Sequence, residues 1–185
     1  MPTLNLSEAV LDPNSPPCSR FNRYFDFPAA NGVSGLVLDL RGNQGGSLEV
    51  AVCLASELLK PSLPLFRIAT RHVIESSESQ RVGPGAAAAL PVAIFIDKET
   101  DSGALALAAA LQDQQRAQII GEQKDKINGA VTTLVHAPRS QDVRHLGGQQ
   151  LAAGVRVDVT VSTKDDDALM NAARAQFAAA PQGKH

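Results

Sequence analysis

Three glycines cluster in a short loop that directly follows an apolar stretch of the sequence. The stretch 35–40 is apolar except for Asp39, and Gly42, Gly45 and Gly46 follow it. Backbone N–H groups beside glycines can come close to an anion or a reacting oxygen, because no Cβ stands in the way. Ligands of open α/β sheets usually bind at the carboxyl ends of the strands. The loop is therefore a candidate binding site. The glycines alone do not show whether it would bind a phosphate or stabilise an oxyanion.

The spacing of the chain's other chemical groups disfavours cofactor and metal sites. The glycine loop does not follow the G-x-G-x-x-G pattern of dinucleotide sites. We also find no second acid after another strand at the spacing of the residue that binds the ribose in such sites. None of the four histidines has a Cys or an acid at metal-ligand spacing. We therefore expect no cofactor and no metal. Cys53 lies on the apolar side of a predicted helix, and we expect a plain buried thiol there.

Strand and helix patterns alternate along the chain. The predicted strands are 35–41, 63–69, 91–97, 117–121, 130–136 and 155–161, and the predicted helices are 48–59, 102–115 and 165–177. Short connections between alternating strands and helices indicate parallel βα units. We predict an α/β domain over residues 31–178, preceded by an irregular arm (1–30) and followed by a tail (179–185). Residues 71–90 are expected to form an exposed excursion.

Bulk properties narrow the classes of partner. The 185 residues suffice for one domain with a sizeable core, and a hydrophobic content of 44% argues against disorder. A net charge of −2 and the absence of Trp disfavour nucleic-acid binding. We find no apolar run long enough to span a membrane and no signal peptide, and the compartment stays unknown.

Three segments together resemble the C-terminal processing (tail-specific) serine peptidases. Residues 32–46 resemble the family signature GvkGLVLDLRnNpGG, with Gln44 in place of the usual proline. Residues 91–122 are similar to the family's nucleophile strand and helix, and residues 154–177 to its closing strand and terminal helix. The resemblance implies a crotonase/ClpP-like core with mostly parallel βα units, in a family that is usually periplasmic or exported. No PDZ-like segment is visible in this chain.

The resemblance also implies a Ser–Lys dyad with a backbone oxyanion hole. Its register places the catalytic serine on Ser102, which follows a predicted strand and turn and opens a predicted helix. Helix N-termini favour developing negative charge, so the position suits a nucleophile. The N–H of Gly103, with one from Gly45 or Gly46, would form the oxyanion hole. By residue type alone, a helix N-cap is the better interpretation of Ser102, and only the family register favours a nucleophile there.

Four charged residues lie near these groups in the sequence. Arg41 and Asp113 match positions that the resembled family keeps near its site, which implies supporting electrostatics rather than a reacting role. Asp39 must be paired if it is buried, and Arg41, two residues on, lies on the same side of the strand. Asp101 precedes Ser102, where its carboxylate would oppose an oxyanion.

The general-base lysine has no counterpart in register. Its position falls on Ile127 without a gap and on Asn128 with one inserted residue, and neither side chain accepts a proton. We take Lys126 as the candidate base, with Lys124, a histidine or no base as open alternatives. A lysine base must be neutral, which requires desolvation, whereas Asp125 lies between the two lysines.

Two functions follow from these observations. The resemblance implies a serine endopeptidase that acts on protein or peptide tails. The alternative is a catalytically inactive relative that binds a peptide or a protein through the same cleft, so that enzyme status stays open. The partner in either case is a protein or peptide. Whether the chain forms a homo-oligomer is left open.

Overall fold

A computed structural model describes residues 25, 33–69, 74–78, 87–122, 134–136, 143–146, 149–152 and 155–179. The predicted arm apart from Phe25, the loop with Lys124 and Lys126, and the tail after Ala179 lie outside these ranges. The described strands are β1 (Leu36–Asp39), β2 (Pro64–Ala69), β3 (Ile74–Glu78), β4 (Val92–Ile96), β5 (Ala117–Gly121), β6 (Leu134–His136), β7 (Val143–Leu146), β8 (Gln149–Ala152) and β9 (Val159–Thr160). The described helices are α1 (Leu48–Leu58), α2 (Ser102–Asp113) and α3 (Asp166–Ala179).

A parallel sheet with the strand order β1-β4-β5-β9 forms the centre of the fold. In its register, the Cα of Ile94 on β4 lies opposite Leu38 on one side and Ile119 on the other. Helix α1 lies between β1 and β4 in sequence and α2 lies between β4 and β5, as parallel crossovers require, whereas strands β6, β7 and β8 lie between β5 and β9. The prediction of an α/β fold built mostly from parallel βα units is confirmed.

Both faces of the central sheet are covered by helices. On β4, Ile94 and Ile96 pack in the cluster that contains α1 and α2, whereas Ala93 and Phe95 pack with α3 around Leu169. Successive side chains of a strand point to opposite faces, so a strand buried on both sides must be apolar throughout. This explains why β4 reads Val-Ala-Ile-Phe-Ile and why all five residues are buried.

The helices begin where their capping residues stand. Ser47 is the N-cap of α1, and its Oγ accepts the Glu49 N–H at 3.2 Å. At α3, Asp165 Oδ1 accepts the Ala168 N–H at 2.9 Å. No helix within the described ranges combines the length and hydropathy that crossing a membrane requires.

Two smaller antiparallel sheets accompany the central one. Strands β3, β2 and β6 form one of them, and β7 and β8 pair as the other. Residues 71–90 were expected to be an exposed excursion, but Ile74–Glu78 form β3 and pair with β2. The sequence did not predict this strand because Ile-Glu-Ser-Ser-Glu has no apolar alternation, and backbone pairing with a neighbour decides its structure. The predicted strand 155–161 is reduced to Val159–Thr160.

Cys53 is disulfide-bonded rather than a free thiol, so the prediction of a plain buried thiol is wrong. The chain's other cysteine, Cys18, lies outside the described residues. The Cys53 side chain lies in the core beside α2, which is why its burial alone suggested an inert thiol.

Reduction of this disulfide is expected to lower the free energy of unfolding by about 2–4 kcal/mol, because the cross-link restricts the unfolded chain. Thermal unfolding with and without reductant measures the change. Peptide mapping without reductant should find Cys53 in a linked peptide. Alkylation of Cys53 in the denatured, unreduced protein would contradict this assignment.

Candidate active site

Two loops meet at the carboxyl edge of the central sheet. The glycine loop (residues 40–47) follows β1, and the serine loop (residues 97–103) follows the adjacent parallel strand β4. The Asp101 N–H donates to the Asn43 carbonyl oxygen at 2.9 Å, which joins the two loops directly. Parallel neighbours end at the same edge, so the strand order alone places both loops together.

Asp97 and Thr100 fasten the two loops to each other. The Asp97 carboxylate accepts the N–H groups of Gly42, Glu99 and Thr100, each at 3.0 Å. The fully buried Thr100 hydroxyl lies 2.8 Å from the Leu40 carbonyl oxygen and 3.0 Å from the Asp97 carboxylate. Sequence reasoning missed both residues, although an Asp three residues before a Thr after a strand is a known turn-forming pattern.

Ser102 has an unusual backbone conformation at the start of α2. Its φ is +48°, in the left-handed region that non-glycine residues rarely adopt. The side chain is exposed, on a sharp turn between β4 and α2. A nucleophilic serine on a strained strand-to-helix turn is a recurring arrangement in hydrolases.

Asp101, rather than Ser102, is the N-cap of α2. The Asp101 carboxylate accepts the Ser102 N–H at 2.7 Å, and the Asp101 carbonyl oxygen accepts the Ala104 N–H at 3.1 Å. The interpretation of Ser102 as the helix cap is therefore wrong, because the preceding residue already fills that place. Capping does not explain why a serine with a positive φ stands at position 102.

The glycines bring the two loops into backbone contact. Gly45 and Gly46 have φ values of +111° and +147°. A Cβ on Gly45 would collide with the Ser102 side chain, and a Cβ on Gly103 would lie 2.9 Å from the Gly46 carbonyl oxygen. Only glycine fits at these positions.

The glycine N–H groups differ in how they are used. The Gly45 N–H donates to Asn43 Oδ1 at 3.0 Å. The N–H groups of Gly46 and Gly103 have no acceptor within the described part of the chain. These two donors, on facing loops beside Ser102, are therefore the ones available to a bound oxygen.

Asn43 connects the glycine loop internally and to the serine loop. It is 5% exposed, its Oδ1 accepts the Gly45 N–H, and its carbonyl oxygen accepts the Asp101 N–H. Its Nδ2 is buried without a hydrogen-bond partner among the residues that the structure describes. Sequence reasoning passed over Asn43, although an Asn two residues before a glycine is a frequent turn signal.

Arg41 and Asp39 form the expected ion pair. Arg41 Nε and Nη2 donate to the two Asp39 oxygens at 2.9 and 2.6 Å. Nη1 donates to the Thr163 carbonyl oxygen at 2.8 Å and to Asp166 at 2.7 Å, and the guanidinium lies 5.8 Å from the centre of the Phe95 ring. Hydrogen bonding to Asp39, and then to Asp166, raises the pKa of Arg41 above its usual value. Arg41 thus ties β1 to the start of α3.

Of the remaining sequence-predicted residues, the structure describes Asp113, which does not join the two loops. Asp113 is the last residue of α2, a helix of 12 residues that starts at Ser102, so the two are separated by about 16 Å. Lys126, the candidate base, and Lys124 lie outside the described residues. Ser102 Oγ makes no hydrogen bond to any residue that the structure describes. Nor do the described residues contain a cluster of His, Cys, Asp and Glu suited to a metal ion.

The fold and the two loops define an α/β protein of the ClpP/crotonase-like type with a serine at the carboxyl edge of its sheet. Residues 19–164 match the family model of Peptidase family S41. This chain therefore belongs to peptidase family S41, and the expected membership of the C-terminal processing peptidases is confirmed.

Several relatives share part of their length with the chain. It is 34% identical over 130 residues to a carboxyl-terminal-processing protease of Synechocystis sp., covering 63% of this chain and 30% of that protein. It is also 34% identical over 93 residues to the chloroplastic carboxyl-terminal-processing peptidase 2 of Arabidopsis thaliana, covering 50% of this chain and 18% of that protein. The matches thus span less than a third of these relatives.

Solved structures share the fold. A photosystem II D1 C-terminal processing protease superposes with a TM-score of 0.59 at 24% identity, over 90% of this chain and 50% of that one. A lipoprotein from Streptococcus agalactiae superposes with a TM-score of 0.65 at 16% identity, over 96% of this chain and 65% of that one. These likenesses establish the architecture in which the two loops stand.

Proposed function

We propose that the chain is the core of a serine endopeptidase that cleaves protein or peptide tails, with Ser102 as its nucleophile. The observation that carries the proposal is the left-handed φ of +48° at Ser102, on the turn between β4 and α2. The glycine loop contacts this turn, and the open N–H groups of Gly46 and Gly103 flank the serine. The names of the relatives, which are carboxyl-terminal processing proteases, supply the proposed substrate class.

The first step is attack on the scissile peptide bond. Ser102 Oγ forms a bond to the carbonyl carbon while a base takes its proton, and the carbonyl π electrons move to oxygen. The N–H groups of Gly46 and Gly103 hydrogen-bond this oxyanion, each contributing about 10²–10³ in rate when well placed. The positive end of the α2 dipole adds to the stabilisation.

The second step releases the tail. The intermediate expels the amine, which takes the proton from the base, and an ester to Ser102 remains. Water then attacks the ester in the same way and regenerates Ser102. We propose Lys126 as the base, which must be desolvated to be neutral at physiological pH.

The inactive relative remains the second candidate function. It is favoured by the lack of a lysine in the family register and by the absence of a hydrogen bond to Ser102 Oγ from the described side chains. In this reading the cleft between the loops binds a peptide without turnover. Both functions use the same surface, so cleavage rather than binding separates them.

A cleavage assay tests the proposal. The chain is incubated with an unstructured polypeptide that ends in an apolar tail, and the products are identified by mass spectrometry. We expect hydrolysis near the carboxyl end, a loss of at least about a thousandfold for Ser102→Ala, and a comparable loss for Lys126→Ala but not for its neighbour control Lys124→Ala. Binding without cleavage by both wild type and Ser102→Ala would establish the inactive relative instead.

Asp101→Asn is expected to raise kcat/KM about two- to fivefold, because it removes a negative charge close to the developing oxyanion. Asparagine caps helices as well as aspartate does, so the melting temperature should change little. Steady-state kinetics at low ionic strength measure the effect, and added salt should reduce it. A fall in kcat/KM with an unchanged melting temperature would show that the carboxylate assists the reaction.

A further inference from the structure

A cavity lies at the opposite edge of the central sheet from Ser102. It has a volume of about 650 Å³, and Val92, Ala117 and Val159, at the starts of β4, β5 and β9, line it. Ser102 follows the carboxyl end of β4, so a strand length of about 17 Å separates the two places. The cavity is therefore distinct from the candidate active site.

Arg116 supplies a positive charge at this cavity that no described carboxylate neutralises. Its Nε donates to the Leu58 carbonyl oxygen at 2.7 Å, and its Nη2 donates to the Ala87 carbonyl oxygen at 2.8 Å. No carboxylate in the described ranges pairs with it. Burial lowers the pKa of Arg116 to about 10, so the guanidinium is still charged at neutral pH. Two of its five N–H groups are engaged, and an anion can accept from the others.

Three glutamine side chains line the same cavity with unused amides. Gln115, Gln118 and Gln176 make no side-chain hydrogen bond to other residues that the structure describes. Each amide offers both donors and an acceptor, the same groups that a peptide backbone needs. Pro91 and Phe177 add an apolar wall.

The other charged residues at the cavity compensate each other. Arg156 Nη2 donates to Asp158 Oδ1 at 2.9 Å. Asp158 Oδ2 accepts the Ile119 N–H at 2.9 Å and Gln112 Nε2 at 3.0 Å. Among the lining residues, Arg116 thus carries the charge that no described carboxylate compensates, so the cavity is complementary to a negative ligand.

We propose that this cavity binds a short acidic peptide, with a carboxylate at Arg116 and the peptide groups at the glutamine amides. Its volume falls in the range of sites for small organic ligands and far exceeds that of a single inorganic anion. The proposal does not depend on Ser102 or on the peptidase activity.

A titration of the full chain with matched peptides tests the site. The probes are acetyl-Gly-Ala-Ala with a free carboxylate, the same peptide as its carboxamide, and inorganic phosphate, and backbone amide shifts are followed by NMR. We expect the acid to shift residues at the starts of β4, β5 and β9, and the carboxamide to bind at least about tenfold more weakly. Equal binding of both peptides, or equal shifts with phosphate, would overturn the proposal.

Charge changes at the exposed Gln118 sharpen the test without altering a hydrogen bond between described residues of the folded chain. Gln118→Glu should weaken binding of the acid about tenfold, and Gln118→Lys should tighten it several-fold, both with an unchanged melting temperature. Arg174→Gln, which removes an exposed charge away from the cavity lining, is the matched control. Ser102→Ala should bind the peptide like wild type, so failure here is separable from failure of the peptidase proposal. Equal affinities of the two Gln118 variants would contradict the site.

Discussion

Replacement of Gly45 by alanine is expected to lower kcat/KM for tail cleavage by about a thousandfold or more. Gly45 has a φ of +111°, and an added Cβ would collide with the Ser102 side chain. It would also lie 3.0 Å from the Gly103 nitrogen and from the Asp101 carbonyl oxygen. The two loops must then separate, which displaces the nucleophile and both oxyanion donors together.

Gly42→Ala is the matched control for this prediction. Gly42 also has a positive φ, of +67°, but its added Cβ would have only Glu99 Oε2 near it, at 3.8 Å. The Gly42→Ala substitution therefore costs only the strain of a left-handed backbone conformation, about 1–2 kcal/mol in the free energy of unfolding. Steady-state kinetics of the two variants, each with its melting temperature, separate backbone strain from steric displacement. Equal losses of kcat/KM would contradict the proposed contact between the loops.

Replacement of Asp97 by alanine is expected to lower the free energy of unfolding by about 2–3 kcal/mol. The change removes the carboxylate that accepts the N–H groups of Gly42, Glu99 and Thr100, and it leaves the Thr100 N–H with the carbonyl oxygen of residue 97, at 3.3 Å. Since these bonds fasten the glycine loop to the serine loop, kcat/KM should fall as well. Chemical denaturation measures the stability, and kinetics below the transition measure the activity.

Two further variants serve as references for the loss of stability in Asp97→Ala. Asp97→Asn keeps one acceptor oxygen, so it should lose about half as much stability as alanine does. Asp167→Ala removes an exposed carboxylate from the first turn of α3 and should cost only a few tenths of a kcal/mol. A loss at Asp97 no greater than that at Asp167 would show that the carboxylate does not hold the loops.

The sequence predicted the central fold because its signals are local. Strand Val92–Ile96 is buried and apolar throughout, and Leu36–Asp39 is half-buried and apolar apart from Asp39, so both were recognisable without knowledge of their neighbours. The glycine loop was recognisable for the same reason, since its glycines stand directly after a strand. Alternation with helices then placed both loops at one edge of the sheet.

Other features depend on tertiary context and were missed. Strand β3 has a polar sequence and is defined by its pairing with β2. Cys53 has the same environment whether it is free or disulfide-bonded, so its burial did not reveal the bond. The use of the Gly45 N–H by Asn43, which leaves Gly46 as the available donor, is a matter of distances within the loop.

Asp113 illustrates how register can mislead about distance. Its match to a position that the family keeps near its site suggested an orienting role. The helix α2 carries it a full helix length away from Ser102. We therefore assign Asp113 no part in the proposed reaction, and the proposed site rests on Ser102 and the glycines.

The most direct test of the central claim is covalent labelling by a fluorophosphonate probe, mapped by mass spectrometry. An activated serine beside an oxyanion hole should react with the probe, and an ordinary exposed serine should not. We predict one modified peptide that contains Ser102, with labelling abolished in Ser102→Ala and strongly reduced in Gly45→Ala. Absence of labelling at Ser102 in the folded wild-type chain, or labelling that persists in Ser102→Ala, would contradict the claim that Ser102 is the nucleophile.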